Sequence, residues 1–167
     1  RQRFRLPYPE QARSAHPQGC GNWYERRPGK ADAEAATLMA AVDQACMLYP
    51  VDRDRVAVAG LSAGASMAAL LATRYPNRFR AVVMHSGVAP GAAKSSATAL
   101  GGMRGQHVPP MAVTAVGKAM GAAGVFTTLP PMLVLHGDAD AVVAPSNAVC
   151  SAAVWASAGG AHAGVAG

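Results

Sequence analysis

The sequence predicts an α/β fold: a mostly parallel, doubly wound sheet with helices on both faces. Three observations point to it. Short apolar runs ("RVAVAG", "FRAVVMHSG", "PMLVLHGDAD") alternate with helix-length runs rich in alanine. The short runs are nearly continuous in apolar residues, as strands of parallel sheets are when both faces are covered. Residues able to carry chemistry, namely Ser62, His85, Ser86, His136, Asp138 and Asp140, fall just after these runs. Sites in open parallel sheets lie at that carboxyl edge.

The elements follow in order. "FRLPYPEQ" reads as the end of a strand running into a loop at Pro7 and Pro9. "ARSAHPQGCGNWYERRPGK" is a loop, and its Trp23 and Tyr24 either line a site or cover the core. "ADAEAATLMAAVDQACMLYP" is a helix with Asp32 as N-cap and Pro50 as its stop. Its stripe is Ala35, Leu38, Met39, Val42, Ala45, Cys46 and Tyr49. "RVAVAG" is a buried strand, "AGASMAALLATRYP" a helix and "FRAVVMHSG" the next strand. Residues 87–131 form a Gly-, Ala- and Pro-rich insertion of lid-like character, with a helix from about Met111 to Met120. "PMLVLHGDAD" is a further strand, "APSNAVCSAAVWASAG" a helix, and "GGAHAGVAG" has no pattern.

Length and composition fit one globular domain, residues 1–167. No apolar run reaches the roughly 18 residues a membrane span needs. The net charge of +6 is concentrated in residues 1–30, where seven Lys/Arg face two Asp/Glu. These cations are scattered and not interleaved with a stacking aromatic platform, so they read as a solvated surface and not as a nucleic-acid site. Cys20, Cys46 and Cys150 have no metal-like spacing, and no cofactor or metal motif is present. Cys46 reads as a small core residue, and Cys20 as a disulfide candidate if the protein is exported. The sequence implies no particular oligomeric state.

"AGLSAG" carries the chemistry. A nucleophilic serine of the Gly-x-Ser-x-Gly type sits on a sharp strand-to-helix turn with its Oγ exposed. The turn is expected to leave no room for side chains two residues away, which Gly60 and Gly64 satisfy. The N–H of Ala63, at the helix N-terminus, can face a developing oxyanion. A serine hydroxyl needs a base, and the base an orienting acid, in the chain order Ser, Asp/Glu, His. Asp140 is the better acid; Asp138 suits a loop cap. His16, His85, His107 and His136 all precede Asp140, and His85 and His136 read as structural strand-end residues. His162 is the one histidine that follows, by 22 positions, which a helix, a strand and two connections would nearly exhaust. His162 is therefore a poor candidate base, and the base is expected outside these 167 residues.

The blocks "YPEQ", "HPQGCGNWY", "YPVDRDRVAVAGLSAGASMAALLATRYPNRFRAVVMHSG" and "HGDADAVVAPSN", in this order, resemble the polyhydroxybutyrate depolymerase/esterase family of α/β-hydrolases. That family is close to feruloyl and acetyl-xylan esterases. The resemblance covers residues 7 to about 150. It implies a serine esterase acting on a polyester or acylated saccharide through an acyl-enzyme on Ser62, with Asp140 as triad acid and Ala63 in the oxyanion hole. It also implies that the loop with Cys20, Asn22 and Trp23 borders the cleft, with His85 and Ser86 nearby. A secreted protein is implied, with an ester substrate as partner and neither nucleic acid nor membrane. The family's first strands and His-Gly-Cys-type loop, and its later strand and His-bearing loop, have no counterpart here. The expectation is an internal piece of a longer hydrolase, its sheet incomplete at both ends and inactive alone. The alternative is a non-catalytic hydrolase-like module that kept the elbow and lost the base.

Overall fold

A computed structural model describes residues 4–14, 16, 19–24, 29–106 and 128–159. The chain forms three parallel strands, β1 (Ala57–Leu61), β2 (Ala81–His85) and β3 (Met132–Leu135), in the order β1-β2-β3. Among the described residues four helices accompany them: α1 (Lys30–Leu48), α2 (Ala63–Arg74), α3 (Ser96–Met103) and α4 (Ser146–Gly159). The register aligns Leu61 with His85 and His85 with Leu135, so all three strands end at one level.

Helix α1 starts from Gly29, whose left-handed φ of 93° a side chain would resist. Asp32, expected as the cap, instead lies in the first turn and pairs with Arg74 Nε at 2.7 Å. Ala33 N already donates to Gly29 O, so the helix is closed before Asp32 could cap it. The apolar stripe is buried at Ala35 and Met39 and half-buried at Leu38 and Val42, while Tyr49 is exposed. Helix α2 follows β1 without a linker beyond Ser62. Its alanine-rich sequence lets it lie close to the sheet, and Ala65, Met67, Ala68, Ala69, Leu71 and Ala72 are buried.

The core is one cluster on one face of the sheet. Val82 and Met84 of β2 meet Ala35 and Met39 of α1, the buried row of α2 and Trp155 of α4. Trp155 Nε1–H donates to Pro130 O at 2.8 Å, so its ring packs without orphaning its polar atom.

The strands are not buried on both faces, as their composition suggested. Ala57, Ala59 and Leu61 are exposed, as are His85, Leu133 and Leu135. Pairing puts these on the face opposite the cluster. The expected strand at "FRLPYPEQ" also does not form: Phe4, Leu6 and Tyr8 are exposed and unpaired with the sheet. Pro7 and Pro9 remove two donors a ladder would need.

Helix α3 is an element the sequence reading passed over. Ser95 caps it: Thr98 N donates to Ser95 Oγ, and Ser95 N donates to Thr98 Oγ1. The described start of the 87–131 segment is fastened to the body. Ser66 Oγ donates to Val88 O and accepts from Val88 N, both at 3.0 Å. Asn147, fully buried on α4, accepts from Ala89 N and donates to Gly102 O, each at 3.0 Å. The helix expected at Met111–Met120 lies outside the described residues.

Candidate active site

Ser62 stands between β1 and α2 with φ 54° and ψ −121°. A non-glycine residue held there is strained by about 1–3 kcal/mol, and such strain persists only where the surroundings enforce it. The enforcement is visible. Ser62 N–H donates to His85 O at 2.9 Å, and Ser62 O accepts from Ala65 N at 3.0 Å and Ser66 N at 3.3 Å. The residue is exposed at the carboxyl edge.

The two flanking glycines differ. A Cβ on Gly60 would stand 2.0 Å from Gly64 O and 2.5 Å from Ala65 N, an impossible overlap with backbone. A Cβ on Gly64 would meet nothing within 4 Å. The expectation that both must be glycine therefore holds only for Gly60. The turn folds the helix start back over β1, and the Gly64 position points outward from the first turn. Ala63 opens α2, so its amide has no intrahelical acceptor and points with the positive end of the helix dipole.

Ser86 repeats the geometry one strand over. Its φ is 50°, and its N–H donates to Leu135 O at 2.9 Å, as Ser62 N–H does to His85 O. The three strand ends are thus laced together by the first residues after β1 and β2.

After β3 the chain turns through His136, Gly137, Asp138 and Asp140. Asp140 N donates to Gly137 O at 3.2 Å, and Asp140 Oδ1 accepts from Val142 N and Val143 N, both at 2.9 Å. These two amides, Val143 first, hold the Asp140 carboxyl below its ordinary value of 3.8, helped by the Ser86 hydroxyl and by His136. Burial opposes them. Asp138 is exposed. Across the turn, His136 Nε2 lies 2.9 Å from Val143 O and 3.5 Å from Asp140 Oδ2, with its side chain 4% exposed. The structure therefore joins Ser86, His136 and Asp140 in one cluster, with Ser62 at the neighbouring strand end.

The other sequence candidates lie as follows. His85 ends β2 beside Ser62 and is exposed. His16 accepts from Cys20 N through Nδ1 and contacts the Tyr24 hydroxyl through Nε2. Among the described histidines none hydrogen-bonds to Ser62. His107 and His162 lie outside the described residues. Asn22 is anchored to α1, its N and Nδ2 both donating to Glu34 Oε2 at 3.0 Å. Trp23 packs on the core cluster and makes an edge contact with Tyr24. Their loop still runs close to the elbow helix, since a Cβ on Gly21 would touch Met67 at 3.5 Å. Cys46 is half-buried, Cys20 is exposed, and burial pushes the Cys150 thiol up. No described helix is long and apolar enough to cross a membrane.

Comparison with known proteins identifies the family and the fold. The family profile "Esterase PHB depolymerase" matches residues 1–162. The chain is 32% identical over 149 residues to poly(3-hydroxyalkanoate) depolymerase C of Paucimonas lemoignei, covering 87% of this chain and 35% of that protein. It is 33% identical over 121 residues to acetylxylan esterase A of Emericella nidulans, covering 69% of this chain and 40% of that one. An acetyl xylan esterase structure from Aspergillus awamori superposes with a TM-score of 0.62 at 23% identity, over 83% of this chain and 51% of the other. That likeness shows the fold. The chain spans well under half the length of the curated relatives it matches.

Proposed function

The chain belongs to the esterase PHB depolymerase family of ester hydrolases, and from that premise we propose that it carries the nucleophile and acid of a serine esterase. The observation that carries this reading is Ser62, held at φ 54° between a strand and a helix with a glycine at position 60 that no other residue could replace.

In this reading Ser62 Oγ attacks the carbonyl carbon of an ester. The oxyanion that forms is met by the Ala63 N–H at the α2 N-terminus. The alkoxide leaves with a proton, and water releases the acyl group from Ser62. Asp140 orients the imidazole that takes the Ser62 proton and hands it to the leaving group. Its depressed pKa keeps it ionised for that role. The described histidines do not bridge Ser62 and Asp140; this reading places the base in none of them and expects no turnover from the chain alone. The substrate class is a polyester of hydroxyalkanoate type or an acylated saccharide. Export belongs to the same reading. In this reading the described start of the 87–131 segment, fastened to α2 and α4, borders the substrate.

A fluorophosphonate probe, used with added imidazole to supply the base, tests the assignment. A single covalent adduct on Ser62, located by peptide mass spectrometry and absent from Ser62→Ala, is expected. Recovery of the chain without any adduct on Ser62 after long exposure would overturn it.

A further inference from the structure

We propose that His136 is a positioning residue: by donating its Nε2–H to the Val143 carbonyl it closes the loop that holds the Asp140 carboxylate at the end of β3. The argument begins with hydrogen-bond direction. A carbonyl oxygen can only accept, so at 2.9 Å from Val143 O the Nε2 atom must carry the hydrogen. Nδ1 is buried and has no partner among the described residues. A proton on Nδ1 would bury a second donor with nothing to receive it, which costs more than leaving a lone pair unmatched. The ring is therefore fixed as the Nε2–H tautomer.

That tautomer does one thing. Val143 gives its N–H to Asp140 Oδ1 and receives the His136 N–H on its carbonyl, so one peptide unit is gripped from both sides. The same Nε2 lies 3.5 Å from Asp140 Oδ2, close enough to favour the carboxylate and too long to consume it. Oδ2 stays available to a base, while Oδ1 is spent on the Val142 and Val143 amides. The groups that face Asp140 are these amides, the Ser86 hydroxyl after β2 and His136 itself. With His136 only 4% exposed, the imidazole is a strut within the acid loop and not a proton shuttle open to water.

The inference rests on Asp140 being the triad acid, but its test does not require turnover. Long-range proton–nitrogen NMR of the 167-residue chain, labelled at histidine, should report His136 as the neutral Nε2–H form. A Nδ1–H form would overturn the proposal. His136→Gln places an amide nitrogen near the Nε2 position; His136→Phe keeps the volume without the donor. Amide exchange at Val142 and Val143 should quicken about tenfold or more in His136→Phe and return towards wild type in His136→Gln. Unchanged exchange in His136→Phe, or identical exchange in both variants, would overturn it. If His136→Phe does not fold, the wild-type tautomer and His136→Gln decide. A missing Ser62 adduct would sink the esterase reading and leave these results standing.

Discussion

Gly60 and Gly64 look equivalent in "AGLSAG" and are opposite in space. At position 60 a methyl group has to displace backbone atoms of Gly64 and Ala65. Gly60→Ala should therefore lose about 3 kcal/mol or more in urea unfolding, at the upper end of overpacking penalties. Gly64→Ala meets no atom and sits in the first turn of a helix, so it should be neutral or gain up to about 1 kcal/mol. Equal losses in the two variants would contradict the elbow geometry. The pentapeptide was legible as a strand-to-helix turn because both flanks have the right pattern. Which glycine the turn requires was not legible, because that depends on where α2 folds back over β1. The Ser86 geometry was hidden for a similar reason: "HSG" has no motif, and its positive φ follows from its bond to Leu135 across the sheet.

The elements were mostly legible: β1 to β3, α2 and α4 fall where periodicity and proline stops put them, as does the body of α1. Two departures have physical causes. Pro7 and Pro9 leave the N-terminal stretch short of donors, so no strand forms there. Helix α3 is short, and its capping box uses Thr98 where glutamate or glutamine is the usual signal. Long-range pins are invisible to sequence patterns altogether. Asn147 joins Ala89, 58 positions away, and Gly102, 45 positions away. Ala89 is buried, so Asn147→Ala leaves its amide without a partner, while Gly102 O keeps the Gly105 N–H. Calorimetry should show a loss of about 1–3 kcal/mol, the cost of one orphaned buried group. A change within about 0.5 kcal/mol, the usual range for surface substitutions, would show that α4 does not hold the 88–102 segment.

The whole molecule follows from the βαβ rule: strands joined by helices run parallel and gather their following residues at one edge. That edge brings Ser62, Ser86 and the Asp140 loop onto adjacent strand ends, as the order of motifs in the chain implied. The exposed face with Leu61, Leu133 and Leu135 was not legible, since apolar strand composition describes what a sheet can bury and not what covers it. The family assignment and the proposed chemistry meet at the elbow, where a strained serine stands at a helix N-terminus and no described imidazole bonds to it. The central claim is that Ser62 is a competent nucleophile lacking only its base. Added imidazole tests it directly, as a soluble substitute for the missing side chain, in hydrolysis of a short p-nitrophenyl ester. The prediction is no turnover without imidazole, and turnover with imidazole above the protein-free rate that is lost in Ser62→Ala. Equal rates for the wild-type chain and Ser62→Ala in imidazole, or Ser62-dependent turnover without it, would contradict the account.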